Sequence, residues 1–192
     1  WEHEVPEQPT RADVDAALAY IREVFGEFPL AKSDEGGEVG LAVFLAFILT
    51  LLCRHLFPTV PMFWFVAPMA RSGKTLLMRC GHIIATGNEP GMMDFPESRD
   101  ANDEITKMIL SSARAGIPCF VLDNIRKGRT IKSPPMERAI TSANISGRLL
   151  ATNEFLNIPN TMTMAATGNN VNPSDDLALR SLICTVLPNV PD

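Results

Sequence analysis

No excess of positive charge marks this sequence: 17 lysines and arginines stand against 22 acids, a formal net charge of −5 at pH 7. A basic surface spread over the whole domain is therefore excluded, and a nucleic-acid partner would have to be held by a local loop or by another part of a longer protein. No C-x-x-C pair and no neighbouring histidine cluster accompany the four cysteines, Cys53, Cys80, Cys119 and Cys184. That leaves buried free thiols as the expectation and suits a reducing cytoplasm. No initiator methionine and no signal peptide open the chain, which reads as a segment of a longer cytoplasmic protein. Nor does the apolar run in "GLAVFLAFILTLLCRHLF" (40–57) reach the ~20 residues that a bilayer needs. Arg54 and His55 close it, so a buried core helix is expected and no membrane partner. Internal repeats and low-complexity tracts are missing too.

What remains is ordinary globular composition, 46% apolar and 20% charged over 192 residues, enough for one domain with a core. Val14, Ala17, Leu18, Ile21 and Phe25 repeat at helical spacing between Thr10, a cap, and Gly26, a stop. A loop and the apolar helix follow, ended by Pro58 and Pro61. "MFWFVA" (62–67) is short, aromatic and branched, which predicts a buried strand. Then come a helix from Gly73 to Gly87, a short strand in "GMMDF", a helix over 100–116 and a second buried strand, "PCFVLDN" (118–124). A helix from about Pro135, a strand "TMTMAATGNN" (161–170), a short helix "DDLALRS" and a last strand "LICTVLP" complete the series. Strands alternating with helices, and ending in polar residues, predict an α/β layer fold with a mostly parallel sheet. Residues 1–37 read as a helical extension and linker, and 38–192 as the core.

Positions 68 to 75 read P-M-A-R-S-G-K-T, against the phosphate-loop pattern G-x-x-x-x-G-K-[ST] between a strand and a helix. Gly73, Lys74 and Thr75 match, while Pro68 stands where the first glycine belongs. The chemistry needs successive backbone N–H groups around a phosphate, a lysine reaching the β- and γ-phosphates, and a hydroxyl on Mg²⁺. Proline donates no N–H, but the first loop residue contributes least to that cradle, and its fixed φ sets the turn. Pro68, Met69, Ala70, Arg71, Ser72, Gly73, Lys74, Thr75 and Leu76 are the expected nucleotide contacts. A chance S-G-K-T opening an ordinary helix is the alternative.

Such a loop also requires a carboxylate at a neighbouring strand tip, and "CFVLDN" supplies Asp123 as the second Mg²⁺-associated group beside Thr75. The next residue is Asn124, and an amide cannot act as a general base. Hydrolysis would then borrow another carboxylate, Glu104 first, with Asp94 and Asp103 behind it. The strand ending "ATGNN" offers Asn169, with Asn170 second, to orient water against the γ-phosphate. Arg180, at the end of the short helix, can stabilise charge in phosphoryl transfer at the nucleotide of an adjacent subunit. A surface ion pair with Asp175 or Asp176 is its alternative.

The order strand–GKT loop, apolar strand–Asp, strand–Thr-Gly-Asn-Asn and Asp-x-x-x-Arg resembles the AAA+ class of P-loop ATPases. The segment "GRLLATNEFLNIPNTMTMAATGNNVNPSDDLALRSLICTVLP" is similar to superfamily-three-like helicase domains of phage and mobile-element proteins, which often accompany primase modules. The resemblance covers about residues 38 to 190. It implies a three-layer P-loop fold and an ATP- and Mg²⁺-dependent ring, hexameric, that moves or unwinds DNA. By motif position Lys74 and Thr75 match phosphate and Mg²⁺ binding, Asp123 the Mg²⁺-associated acid, Asn169 the sensor amide and Arg180 the finger presented in trans. The sequence departs from that pattern at Pro68 and Asn124, and it ends before a helical lid could be completed. In such a ring the basic turn "IRKGRTIKS", with Arg126, Lys127, Arg129 and Lys132, can face the channel and grip phosphates; a solvated turn is its alternative. Arg148 is a further candidate for the subunit interface. A nucleotide-binding assembly module with little turnover, which Asn124 favours, and a small-molecule kinase are the other classes.

Overall fold

The computed structural model describes residues 6–148 and 154–188. Helix α1 (Arg11–Phe25) begins in a reciprocal cap: the Asp13 N–H donates to Thr10 Oγ1 and the Thr10 N–H to the Asp13 carboxylate. Helix α2 (Val39–Leu52) is the apolar one, continued by a 3₁₀ turn at Arg54–Leu56. No described helix is long and apolar enough to cross a membrane.

From here strands and helices alternate: β1 (Met62–Ala67), α3 (Lys74–Thr86), β2 (Met92–Asp94), α4 (Ala101–Arg114) and β3 (Cys119–Ile125). A two-residue strand β4 (Thr130–Ile131), α5 (Pro134–Thr141), and an antiparallel pair β5 (Asn144–Arg148) and β6 (Phe155–Pro159) follow. The chain closes with β7 (Thr163–Asn169), β8 (Asn172–Pro173), α6 (Asp175–Ala178) and β9 (Ser181–Thr185). Five strands form one sheet in the order β2-β3-β7-β1-β9, and every pairing in it is parallel.

The α/β expectation therefore holds, with the sheet wholly parallel. Continuous apolar runs become central strands because both faces are covered. Met62, Trp64, Phe120, Leu122, Met164 and Ala166 face α4, α5 and the β5–β6 pair. Phe63, Phe65, Val121, Ala165 and Cys184 face α1, α2 and α3. Helices α2 and α3 approach closely at Gly81, where an added Cβ would stand 2.8 Å from Phe44 Cε2. The N-terminal extension packs on the same layer: Phe25 belongs to its core, and Leu30 forms an antiparallel bridge to Val186. All four cysteines are free, with Cys119 and Cys184 buried and Cys53 and Cys80 half-buried. Burial pushes both deep thiols up, Cys184 to about 12.

The β5–β6 pair was not expected, because "NISGR" and "FLNIP" mix polar residues, glycine and proline and show no apolar run. Arg54 is likewise more than the end of an apolar helix. It is buried, its Nε donates to Met162 O at 2.9 Å, and its other nitrogens donate to Phe57 O and Asn160 O.

Candidate functional site

The connection leaving β1 runs onto one face of the sheet with α3, whereas the one leaving β7 carries α6, whose Leu177 packs on the other. Neighbouring parallel strands whose connections part to opposite faces leave a crevice at their carboxyl ends. Pro68–Gly73 lies there. In register Ala67 stands beside Asn169, at the tips of β1 and β7.

The loop is held by its root. The Asn170 N–H donates to Ala67 O at 2.9 Å and its side-chain Nδ2 to Pro68 O at 3.0 Å. Arg71 takes φ 61° and Gly73 φ 84°, the left-handed region that glycine enters without strain. Helix α3 starts directly after Gly73 with no side-chain cap and no acid in its first turn. Its first N–H groups lack intrahelical partners, and they carry the positive end of the helix dipole. Ser72 is buried and its Oγ has no hydrogen-bond partner. Pro68, Met69, Ala70, Arg71 and Leu76 are exposed along the rim.

Lys74 is only 7% exposed. Burial lowers its pKa below the ordinary lysine value, while the charge of Asp123 pulls it upward. The two side chains thus lie near enough for their charges to act on each other. Thr75 Oγ1, in the first turn of α3, donates to Asp123 Oδ1 at 3.2 Å, although β7 lies between β3, which carries Asp123, and β1, which leads into α3. The link across β7 is Thr167, fully buried, whose hydroxyl donates to Asp123 Oδ1 at 2.5 Å and accepts the Asn124 N–H at 3.0 Å. Sequence reasoning missed Thr167. Its signal was the hydroxyl in "ATGNN", two places before Asn169 and so, by strand alternation, on the same face as that amide.

Asn169 Oδ1 is buried without a partner, whereas Asn170 is exposed and spends its amide on the loop root. The first-choice and second-choice amides thus have different surroundings. Asn124 takes φ 53° and is exposed. Glu104, the first substitute base expected, is exposed in the first turn of α4, and its side chain bonds to none of these groups; Asp103 is exposed in the same turn. Asp94 instead ends β2 in register with Asp123 on the adjoining strand.

The basic turn rises from the same edge. Arg126 Nε lies 2.6 Å and Arg129 Nη1 3.8 Å from Glu97 Oε1, and the Arg129 guanidinium stands 5.7 Å from the centre of the Phe95 ring. Lys127 and Lys132 are exposed. Glu97 was not anticipated, since nothing in its local pattern points to a residue so far along the chain.

Arg180 is elsewhere. Its carbonyl accepts the Met62 N–H at 3.1 Å, so it sits at the amino-terminal edge of the sheet, where it lines a shallow cavity of about 420 Å³ with Thr59, Pro61 and Ile140. It forms no ion pair with Asp175 or Asp176. Arg148 is exposed at the end of β5. No protein-family model and no curated protein matches the chain.

Proposed function

We propose that the chain is the ATP-binding, ATP-hydrolysing motor domain of a helicase-type P-loop ATPase, working as a ring oligomer on DNA. The observation that carries this is the meeting of Lys74, Thr75 and Asp123 at the carboxyl edge of a parallel sheet, with two buried oxygens, Ser72 Oγ and Asn169 Oδ1, left unpartnered in the same loop and strand tip. Buried polar atoms without partners are rare and call for a ligand or water.

The residues present fit a magnesium nucleotide. Loop amides and the first turn of α3 would hold phosphate oxygens, and Lys74, already desolvated, would meet their charge. Thr75 and Asp123 would hold Mg²⁺, which supplies charge neutralisation at the transferring phosphoryl group. Among the described residues no three His, Cys, Asp or Glu side chains form a metal cage. None is needed, because Mg²⁺ keeps several waters and takes few protein ligands beside phosphate. Thr167 holds the Asp123 carboxylate in orientation, and Asn169 would orient a water. Asp94, level with Asp123, replaces Glu104 as the carboxylate to activate that water.

Arg180 cannot serve its own loop. Strand β1 separates them, and its six residues span about 20 Å. A contact from Arg180 to nucleotide would therefore need a second copy of the chain, which the proposed ring would supply. The basic turn, on the nucleotide edge, is the proposed DNA contact through Arg126, Lys127, Arg129 and Lys132. The hexamer and the host protein from a phage or mobile element rest on the resemblance of motifs, and the cytoplasmic setting on the free cysteines.

Phosphate release from MgATP, stimulated by single-stranded DNA and abolished by Lys74→Ala, tests the reading. Nucleotide binding without release at any DNA concentration would favour an assembly module instead, which Asn124 in place of a carboxylate supports.

A further inference from the structure

We propose that Asn170 is the positioning residue through which occupation of the phosphate loop is transmitted to the basic turn 126–132. The inference rests on the nucleotide reading above and concerns how that site acts on its surroundings.

Three hydrogen bonds meet at this residue. Its N–H donates to Ala67 O at 2.9 Å and its Nδ2 to Pro68 O at 3.0 Å, while its own carbonyl accepts the Gly128 N–H at 3.0 Å. One exposed asparagine thus touches the root of the phosphate loop on one side and the middle of the basic turn on the other. Its φ of 47° lets both be reached at once, and asparagine is among the few side chains that tolerate that region.

The contact does not stop at Gly128. The Asn172 N–H donates to Arg129 O at 3.1 Å and the Ser174 N–H to Ile131 O at 2.8 Å, so the turn is zipped onto the segment that Asn170 begins. At its other foot the turn departs from Asn124, whose N–H is held by Thr167. One foot of the turn and its middle therefore stand on the site, and a shift of the Pro68 peptide passes through rigid peptide planes to Arg126 and Arg129. Pro68 suits this arrangement: proline fixes φ, lacks a donor to give a phosphate, and leaves its carbonyl as the loop's outward handle. The outer end of the turn is held more loosely, by exposed ion pairs to Glu97 that phosphates can displace. Exposed pairs of this kind release the turn at little free energy, whereas the backbone zipper carries displacement into it.

Trypsin reads the turn directly, since Arg126, Lys127, Arg129 and Lys132 are its cleavage sites. Wild type, Asn170→Gly and Asn170→Asp are each brought to saturation with a non-hydrolysable magnesium ATP analogue, saturation being set by calorimetry, and fragments are identified by mass. Glycine keeps the positive φ; aspartate keeps the shape but cannot donate to Pro68 O. In wild type the nucleotide changes the rate of cleavage within 126–132 by about fivefold or more. Both variants bind nucleotide and lose that change.

The coupling must also be reciprocal. In wild type, nucleotide changes the affinity for a single-stranded oligothymidylate and the oligothymidylate changes nucleotide affinity by that same factor, while in both variants neither affinity moves. A merely structural asparagine would alter stability without erasing this linkage. Wild type that binds nucleotide with unchanged cleavage, or variants that retain the change, would overturn the inference. Absence of nucleotide heat in wild type would instead remove the nucleotide reading, and this inference with it.

Discussion

At the scale of single residues, the buried lysine governs the behaviour of the ligand-free protein. Its pKa is lowered by burial, so between that lowered value and the ordinary lysine value the unfolded chain binds more protons than the folded one. Stability of the free protein rises with pH across that window, and below it the charge is a standing penalty. Lys74→Met is expected to raise the melting temperature of the free protein by about 2 °C near neutral pH, a gain that fades as pH climbs through the window. A fall in melting temperature would mean that Lys74 is held by contacts stronger than its desolvation. Thr167 is the second residue to test. Thr167→Val keeps the buried volume but removes one of the two hydroxyls that donate to Asp123 Oδ1 and the acceptor of the Asn124 N–H. Loss of such an orienting group is expected to weaken Mg²⁺-dependent turnover about 10- to 100-fold while circular dichroism stays native. Turnover within twofold of wild type would show that Asp123 needs no such support.

At the scale of elements, β1 and β3 were legible as short apolar runs, and α3 and α4 as helical repeats with a glycine near the stop. "MFWFVA" and "CFVLDN" could hardly be anything but buried strands. The order of those strands was not legible, since insertion of β7 between β1 and β3 leaves no mark on either sequence. Left-handed backbone at Arg71, Asn124 and Asn170 also escaped, because it is imposed by loop closure and not by side-chain pattern. The β5–β6 pair escaped for want of alternation. Arg54 shows how a local reading undersells a residue: in sequence it closes an apolar helix, while in the fold it ties α2 to carbonyls at Asn160 and Met162, just before β7. Arg54→Met removes a charge that has no carboxylate partner among the described residues but strands three carbonyls. The net effect expected is a loss of about 3 kcal/mol, read as a melting temperature roughly 6–12 °C lower. Arg54→Lys should recover little of it, because one ammonium cannot span three divergent acceptors. An unchanged melting temperature in Arg54→Met would show that water satisfies those carbonyls.

At the scale of the whole molecule, one edge of the sheet gathers the phosphate loop, Asp123, Asn169 and the basic turn, and the opposite edge carries Arg180. In the proposed ring, the Arg180 edge of one copy would meet the loop edge of the next. Arg180→Ala is expected to bind nucleotide as wild type does and to turn it over at least about 1,000-fold more slowly. Mixed with Lys74→Ala protein it should recover part of the activity, because each partner supplies what the other lacks. Failure of mixed assemblies to regain any turnover would count against a site shared between copies. All of this stands on nucleotide in the loop. Titration of magnesium ATP into the purified chain by calorimetry is the most direct measure of that. The expected result is saturable heat at one site per chain, lost in Lys74→Ala and weakened when Mg²⁺ is chelated; no heat, or equal heat from the variant, would contradict it.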